Sequence, residues 1–319
     1  QPQVVFAVES HTDMIAKELG IDPYELRLRN VVRDGQICAT GARYNNIRGE
    51  ETLRAVAEAS KWTSPKSNAF IGKGMSLSQR PQGQSIYSAK VEMDETGKTT
   101  LHLLVPETGT GSHTVGRQMV AEDLGIPVEE VIAMQMNTDG GTYDSGAGSG
   151  SSVGGTHAAL GAAQGVRRKL TLMAAEFYGW PEENIQFQKG RVFVEGDPEK
   201  GVSLKELAAR TVNALGETIS ADISTTSEEP DVTCFSAQVA EVEVDPETGN
   251  VKLRKFVTAH DVGTIHNPIT HQGQIDGAVV QGFGYALMEE LLADEGQIST
   301  LSMGDVKSPT MEDIPELET

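Results

Sequence analysis

Two periods of hydrophobic positions divide the chain. Between Val4 and Leu19 the apolar residues Val5, Phe6, Met14, Ile15 and Leu19 recur at helical spacing and stop at Gly20. Asp22-Pro23 supplies a cap and a proline at the first turn, which predicts a second helix running to about Asn30. Residues 34–48 lack a period and read as loop, and Gly49–Ser60, with Leu53, Val56 and Ala57, predicts a third helix. From Ala69 the period changes to two. Ile71–Leu77, Ile86–Met93 and Thr99–Val105 are predicted strands, the last two joined by the turn Asp94-Glu95-Thr96-Gly97. A helix ending at Leu124, a short strand Val131–Met136 and a long Ala- and Leu-rich helix Thr156–Tyr178 follow. Next come a hairpin, Ile185–Phe187 with Arg191–Val194, and a helix Leu204–Leu215 capped by Ser203.

From Thr233 the pattern repeats. Val242-Glu243-Val244-Asp245-Pro246-Glu247-Thr248-Gly249 echoes Val91-Glu92-Met93-Asp94-Glu95-Thr96-Gly97. Each stretch makes a hairpin, then a long strand, a glycine-containing loop and a helix: His113–Leu124 in the first case, Gln274–Leu292 in the second. The expectation is an α+β fold of duplicated ββα units with a small N-terminal helical segment. Its divisions are a helical scaffold over 1–66, a first subdomain over 67–232 and a second over 233–319. Chance similarity of Asp-x-x-Thr-Gly turns is the competing account. Residues 299–307 read as a final strand and loop.

The candidate chemistry lies in three glycine-rich stretches. Asn137–Gly155, NTDGGTYDSGAGSGSSVGG, has seven glycines in nineteen residues and no aliphatic run, so it reads as a loop opening the helix at Thr156. Bare backbone N–H groups, a helix dipole and the hydroxyls of Ser145, Ser149, Ser151 and Ser152 there favour an anion; a flexible linker is the alternative. Glu107-Thr108-Gly109-Thr110-Gly111-Ser112-His113-Thr114 opens a second helix but matches no standard phosphate-loop pattern. The third stretch, Gly273-Gln274-Ile275-Asp276-Gly277 with Gln281-Gly282-Phe283-Gly284, places four glycines in twelve helical positions, at about 1 kcal/mol each relative to alanine. Tight helix packing accounts for Gly277, Gly282 and Gly284, whereas Gln274, at the helix start, offers an amide to a ligand.

Composition narrows the partners. The 319 residues are 38% hydrophobic and 23% charged, with a net charge of −20, which argues against nucleic acid or an anionic membrane as a main partner. No apolar run reaches membrane-spanning length. Two distant cysteines, Cys38 and Cys234, point to a reducing, cytoplasmic setting. The seven histidines are scattered, and no Cys/His spacing suits a metal.

Taken in order, the motifs resemble the molybdenum-cofactor subunit of the xanthine dehydrogenase/aldehyde oxidase family, the molybdenum hydroxylases. Glu107–Thr114 is similar to that family's E-M-G-Q-G-x-x-T. Thr142-Tyr143-Asp144-Ser145-Gly146-Ala147-Gly148 and the Ser/Gly run after it are similar to its second loop. Asn267-Pro268 with Gly273–Gly277 and Gln281-Gly282 is similar to its N-P…G-Q-x-E/D-G-x-x-x-Q-G. Pro2-Gln3, Glu9, Asp22-Pro23 and Leu26-Arg27-Asn30 fit the segment after its R-G-F/Y-G-x-P-Q. The resemblance covers nearly the whole chain.

It implies a molybdopterin, as such or as a cytosine dinucleotide, carrying molybdenum through the pterin and not through protein ligands. The cofactor contacts it implies are Thr108, Gly109, Thr110 and Gly111, then Ser145, Gly146, Ala147, Gly148, Ser149, Gly150, Ser151 and Ser152, and Gln274. Leu77, Ser78 and Ala147 would border a small-molecule substrate. Thr108 and Thr110 depart from the pattern, standing where Met and Gln are usual. Leu77 stands where the purine enzymes have an aromatic, against a purine-specific site. The family's catalytic glutamate, in a Gly-Glu-Pro/Leu stretch, is expected beyond Thr319; Gly49-Glu50 and Gly216-Glu217 have the wrong context. The implied activity is oxidation of an aldehyde or N-heterocycle with water as the oxygen source. Electrons would pass to partner chains holding iron–sulfur clusters and FAD, and a separate N-terminal part of the large subunit is a further candidate partner. A non-catalytic cofactor-binding or assembly subunit is the alternative, and an unrelated nucleotide-binding protein a third.

Overall fold

Small residues set the architecture around the longest helix. In the computed structural model, which describes residues 2–319 apart from 40, 42, 66, 82–84, 136, 138–145 and 227–232, that helix is α5, Gly150–Tyr178. Its buried positions are nearly all Gly or Ala until Val166 and Leu170. A face without large side chains lets a backbone approach a sheet closely.

The chain forms two compact units, Gln1–Pro81 with Pro230–Thr319, and Gln82–Glu229. In the second, α5 lies on β2 (Ile86–Met93) and β8 (Ile219–Thr226). These are the outer half of a four-stranded sheet completed by β3 (Thr99–Leu103) and β4 (Val131–Gln135), in the order β4-β3-β2-β8. Tyr87, Ala89, Val91, Met93, Leu101 and Ile219 meet Ala158, Ala159, Ala162, Val166 and Leu170 in one buried cluster. Each large apolar side chain so buried contributes about 1.5–3 kcal/mol. Helix α4 (Ser112–Leu124) crosses from β3 to the parallel β4 and packs along α5, adding Val120 and Leu124. A small antiparallel sheet of β5 (Ile185–Gln188), β6 (Arg191–Val194) and β7 (Asp197–Ser203) precedes α6 (Leu204–Leu215). Ser203 Oγ accepts from the Glu206 N–H, so the predicted cap is formed.

The first unit begins with α1 (Pro2–Leu19), α2 (Pro23–Asn30) and α3 (Gly49–Ala59), close to their predicted bounds. Asp22 caps α2 as expected, Oδ1 accepting from Tyr24 N–H at 2.8 Å. Arg27 is buried and donates to Glu9 at 2.9 Å and Asp13 at 2.7 Å, tying α2 to α1. The sheet of this unit runs β1-β9-β10-β13, from Ile71–Pro81, Thr233–Val244, Val251–Asp261 and Glu316–Glu318. Leu53 and Val56 of α3 cover one face, against Met75, Ala237, Val239 and Val257.

The two four-stranded sheets share a connectivity. In each an antiparallel hairpin forms the middle pair, β2-β3 or β9-β10. A strand later in the chain lies parallel to the second hairpin strand: β4, directly after α4, in one unit, and β13, after α7, β11, β12 and α8, in the other. An antiparallel strand flanks the first, β8 or β1. The two turns also match: Asp94 Oδ1 accepts from Thr96 and Lys98 N–H, Asp245 Oδ1 from Glu247 and Thr248 N–H, and Gly97 and Gly249 both have positive φ.

Four expectations need correcting. The Gly/Ser stretch is not all loop: α5 begins at Gly150, six residues before the predicted start, and Gly150, Ser151, Gly154 and Gly155 are buried. The helix after β10 is α7, Pro268–Leu287, capped by Asn267, whose Oδ1 accepts from Thr270 N–H. Gln274 therefore lies in its second turn, not at its start. Tight packing does not explain Gly277 and Gly282, since among the described residues a Cβ at either meets nothing within 4 Å. Residues 293–307 form a two-residue hairpin, β11 (Ala293–Asp294) with β12 (Gln297–Ile298), then α8 (Met303–Val306).

Candidate functional site

In the unit Gln82–Glu229 the end of β3 leads through Val105 into the loop Glu107–Gly111. Two positive-φ glycines, Gly109 at 87° and Gly111 at 75°, let the chain turn tightly into α4. Gly111 is the residue at the helix cap, and no side chain at that position caps it. The capping is done from farther back. One oxygen of Glu107 accepts from Gly109 N–H at 3.0 Å and Gly111 N–H at 2.9 Å, and the other from His113 N–H at 3.1 Å and Ser112 Oγ at 3.3 Å. Desolvation pushes this carboxyl up, but the N–H groups of His113, Gly111 and Gly109 together hold it below the usual carboxylate range. His113 Nε2 lies 3.0 Å from the Val105 carbonyl, which only accepts, so Nε2 carries the proton.

The second loop reaches the same place. Gly146 and Gly148 have positive φ, and so does Ser149, at 65°, an uncommon conformation for a residue with a side chain. Gly148 and Ser149 belong to the turn that enters α5. A Cβ at Gly146 would collide with Ser151 Oγ and come within 3.8 Å of Pro106 Cδ. A Cβ at Gly155 would stand 3.2 Å from Val105. The stretch Val105–Gly111 and the stretch Gly146–Gly155 are therefore neighbours at one end of this unit. Ala147, Ser149 and Ser152 are exposed there, whereas Gly150 and Ser151 are buried. Ser145 lies outside the described residues, as do Thr142, Tyr143 and Asp144.

Gln274, Leu77 and Ser78 belong to the other unit. Gln274 is an exposed residue of α7. Leu77 and Ser78 are consecutive on β1, so their side chains leave opposite faces of the sheet. Leu77 packs toward the clusters under α3, and its N–H donates to Glu9 at 2.8 Å. Ser78 bonds Ser236 across the sheet at 2.9 Å, on the face that also carries the Ser76–Gln238 bond. A single ligand on this strand can face one of the pair but not both.

The residue that sequence reasoning passed over is Glu107. It stands in the quoted motif without a role of its own. The available signal was an acidic residue placed just before two glycines and a helix start, where bare N–H groups gather. Among the described residues, no group of three or more His, Cys, Asp or Glu is arranged to hold a metal ion. No described helix is long and apolar enough to cross a membrane.

The family model described as molybdopterin cofactor-binding domain matches residues 47–315. The chain belongs to this family. It is a molybdopterin-binding domain of the large subunits typified by xanthine dehydrogenase, aldehyde oxidoreductase and carbon monoxide dehydrogenase. A putative xanthine dehydrogenase molybdenum-binding subunit of Escherichia coli (strain K12) is 34% identical over 340 residues, which take in 100% of this chain and 45% of that protein. The nicotine 6-hydroxylase large subunit of Paenarthrobacter nicotinovorans is 31% identical over 98% of this chain and 42% of its own length. Among solved structures, quinoline 2-oxidoreductase from Pseudomonas putida 86 matches with a TM-score of 0.84 and 27% identity, over 98% of this chain and 44% of that one. The chain thus spans less than half the length of these large subunits, and the α+β arrangement with its N-terminal helices is the molybdopterin-binding fold they share.

Proposed function

We propose that the chain is the cofactor-gripping portion of a molybdenum hydroxylase that oxidises an aldehyde or N-heterocycle with water as oxygen source, passing electrons to iron–sulfur and FAD partner chains in the cytoplasm. The observation that carries this reading is the convergence of two loops at one end of a rigid α/β layer, Val105–Gly111 and Gly146–Gly155. Their chemistry fits a pterin with phosphates. They present hydroxyls at Thr108, Ser149 and Ser152, with that of Thr110 buried in the loop, and positive-φ glycines at Gly109, Gly111 and Gly148, where no Cβ keeps a flat group away from the backbone. No lysine and no GxGxxG stands in either loop, as an ordinary nucleotide grip would have.

In this reading Thr108, Gly109, Thr110 and Gly111 line one edge of the cofactor. Gly146, Ala147, Gly148, Ser149, Gly150, Ser151 and Ser152 line another, Ser145 continues that loop, and Gln274 contributes an amide. When bound, the cofactor supplies the redox and oxygen-transfer chemistry, and this chain binds and orients it. Ser78 and Ala147 border the substrate, and Leu77 supports the strand behind. Two relatives carry nicotine and quinoline in their names, both nitrogen heterocycles, which favours that substrate class. The base is the glutamate that the resemblance sets beyond Thr319. The matched sheets and matched Asp-x-x-Thr-Gly turns support descent of the two halves from one duplicated ββα unit.

The test is molybdenum and released nucleotide measured on the native complex that contains this chain. Near-stoichiometric molybdenum with a pterin or cytidine nucleotide is expected. Intact protein and partners without molybdenum would replace the proposal with a non-catalytic binding or assembly subunit. Gln274→Ala should lower molybdenum content more than it lowers stability, and equal molybdenum in variant and parent counts against a contact at Gln274.

A further inference from the structure

An anion already sits at the start of α4, and it belongs to the chain. The bare N–H groups that make a helix start attractive to an anion are here engaged by Glu107: Gly109, Gly111 and His113 donate to its two oxygens, with Ser112 Oγ as a fourth donor. The backbone N–H groups so tied are those of alternate residues, Gly109, Gly111 and His113. Thr108 and Thr110 stand beside them. Without the carboxylate, the N–H groups of Gly109, Gly111 and His113 would lose the acceptor they share, and two glycines with positive φ would be free to relax into other turns.

We propose that Glu107 is a positioning residue, whose carboxylate holds the backbone of Thr108–His113 in the shape from which the Thr108–Gly111 edge meets the cofactor. This rests on the molybdopterin reading above and adds to it. Glu107 touches no cofactor atom in this role; it acts through the loop. The lowered acidity range of its carboxyl agrees with a group kept ionised by its N–H partners. The inference also divides the labour at this end of the unit. A carboxylate behind the loop repels a second anion, so the Thr108–Gly111 edge suits a neutral, hydrogen-bonding part of the cofactor.

The decisive variant is Glu107→Gln. It keeps the size and one acceptor oxygen, but it turns an NH2 group toward donors that have no use for it. Ser203→Ala is the control: it removes a helix cap of ordinary worth, at α6, away from both loops. In the assembled enzyme, Glu107→Gln should retain at least fivefold less molybdenum per chain than the parent, while Ser203→Ala loses a similar amount of thermal stability and keeps its molybdenum. In protein stripped of cofactor, hydrogen exchange at Gly109, Gly111 and His113 should quicken at least tenfold in Glu107→Gln, with the amides of α5 unchanged. Parental exchange at those three amides overturns the inference, because the carboxylate then does not hold the loop. Quickened exchange with molybdenum at the parental level overturns it too, because the loop shape then does not matter to binding. A parent complex that carries no molybdenum at all overturns the underlying reading instead, so the two failures are told apart.

Discussion

Helices α5 and α7 are both rich in glycine, and the glycines mean opposite things. On α5 they are contact points. A Cβ at Gly154 would fall inside the Tyr87 ring, one at Gly161 would come to 2.8 Å from Ile223 Cδ1, and one at Gly165 to 2.5 Å from the Ala221 Cβ. On α7 a Cβ at Gly273, Gly277 or Gly282 meets nothing within 4 Å among the described residues, and the one buried residue of the helix is Gly284. Ile269 is 85% exposed and Tyr285 55%. Composition cannot separate the two cases. What separates them is the company the glycines keep: α5 adds the buried alanines Ala158, Ala159, Ala162 and Ala163, and α7 has no such buried set.

The largest effect expected from this contrast is at Gly154. Gly154→Ala forces a methyl group into the Tyr87 ring and should cost about 3 kcal/mol, as severe overpacking does. A urea midpoint equal to the parent's would show that α5 does not rest on that ring. Gly277→Ala should do the reverse and add about 1 kcal/mol, the helix preference of alanine over glycine. Lost stability there would mean that α7 is packed in the working protein, and the contrast would collapse. Added stability together with lost molybdenum would sharpen it, marking Gly277 as kept for close approach of a ligand.

The smallest effect is a pH dependence confined to one unit. Burial, and next the charge of His271 on α7, hold the His260 imidazole below the usual histidine range, with Thr258 Oγ1 2.8 Å from its Nε2. Its folded-state pKa is depressed, so the unfolded chain takes the proton first. Stability is then lost as pH falls below the ordinary histidine value of roughly 6.5. Relative to intrinsic exchange at each pH, protection should fall in β10 on acidification while α5 stays protected, and His260→Gln should remove the difference. Equal acid sensitivity in both regions would assign the effect to some other group.

Much of this was legible because it is local. The Asp22-Pro23 and Ser203 caps, the Asp94 turn and the strand Ile86–Met93 each follow from a few neighbouring residues, and each is formed where expected. The misplaced helix starts have physical causes too. Gly150–Gly155 has poor intrinsic helix preference, and what holds it helical is the fit of bare backbone against Tyr87 and Val105, residues some fifty positions or more away. The glycine-rich run Gly273–Gly284 marks the helix but not its start, for which Asn267-Pro268 upstream is the stronger signal. Strands β7 and β8 are absent from the sequence reading: β7 includes Pro198 and Gly201, and β8, Ile219–Thr226, alternates apolar and polar residues only through Ser224 and pairs with the distant β2. For the site, the motifs singled out two loops that the fold brings side by side, while the hydrogen bonds of Glu107 needed the closed turn to be seen.

The unit containing β1 is built from two separated stretches of chain, and that has a consequence in time. Strand β1 pairs along its whole length with β9, yet Pro81 and its partner Thr233 are far apart in sequence. At ordinary translation speeds β1 leaves the ribosome roughly ten to thirty seconds before β9 arrives. Throughout that wait an edge strand and the apolar side of α3 have no sheet to join, while Gln82–Glu229 emerges as one unbroken stretch and can close on itself. Of these two units, the one whose strand β1 is made earlier is therefore the one finished later.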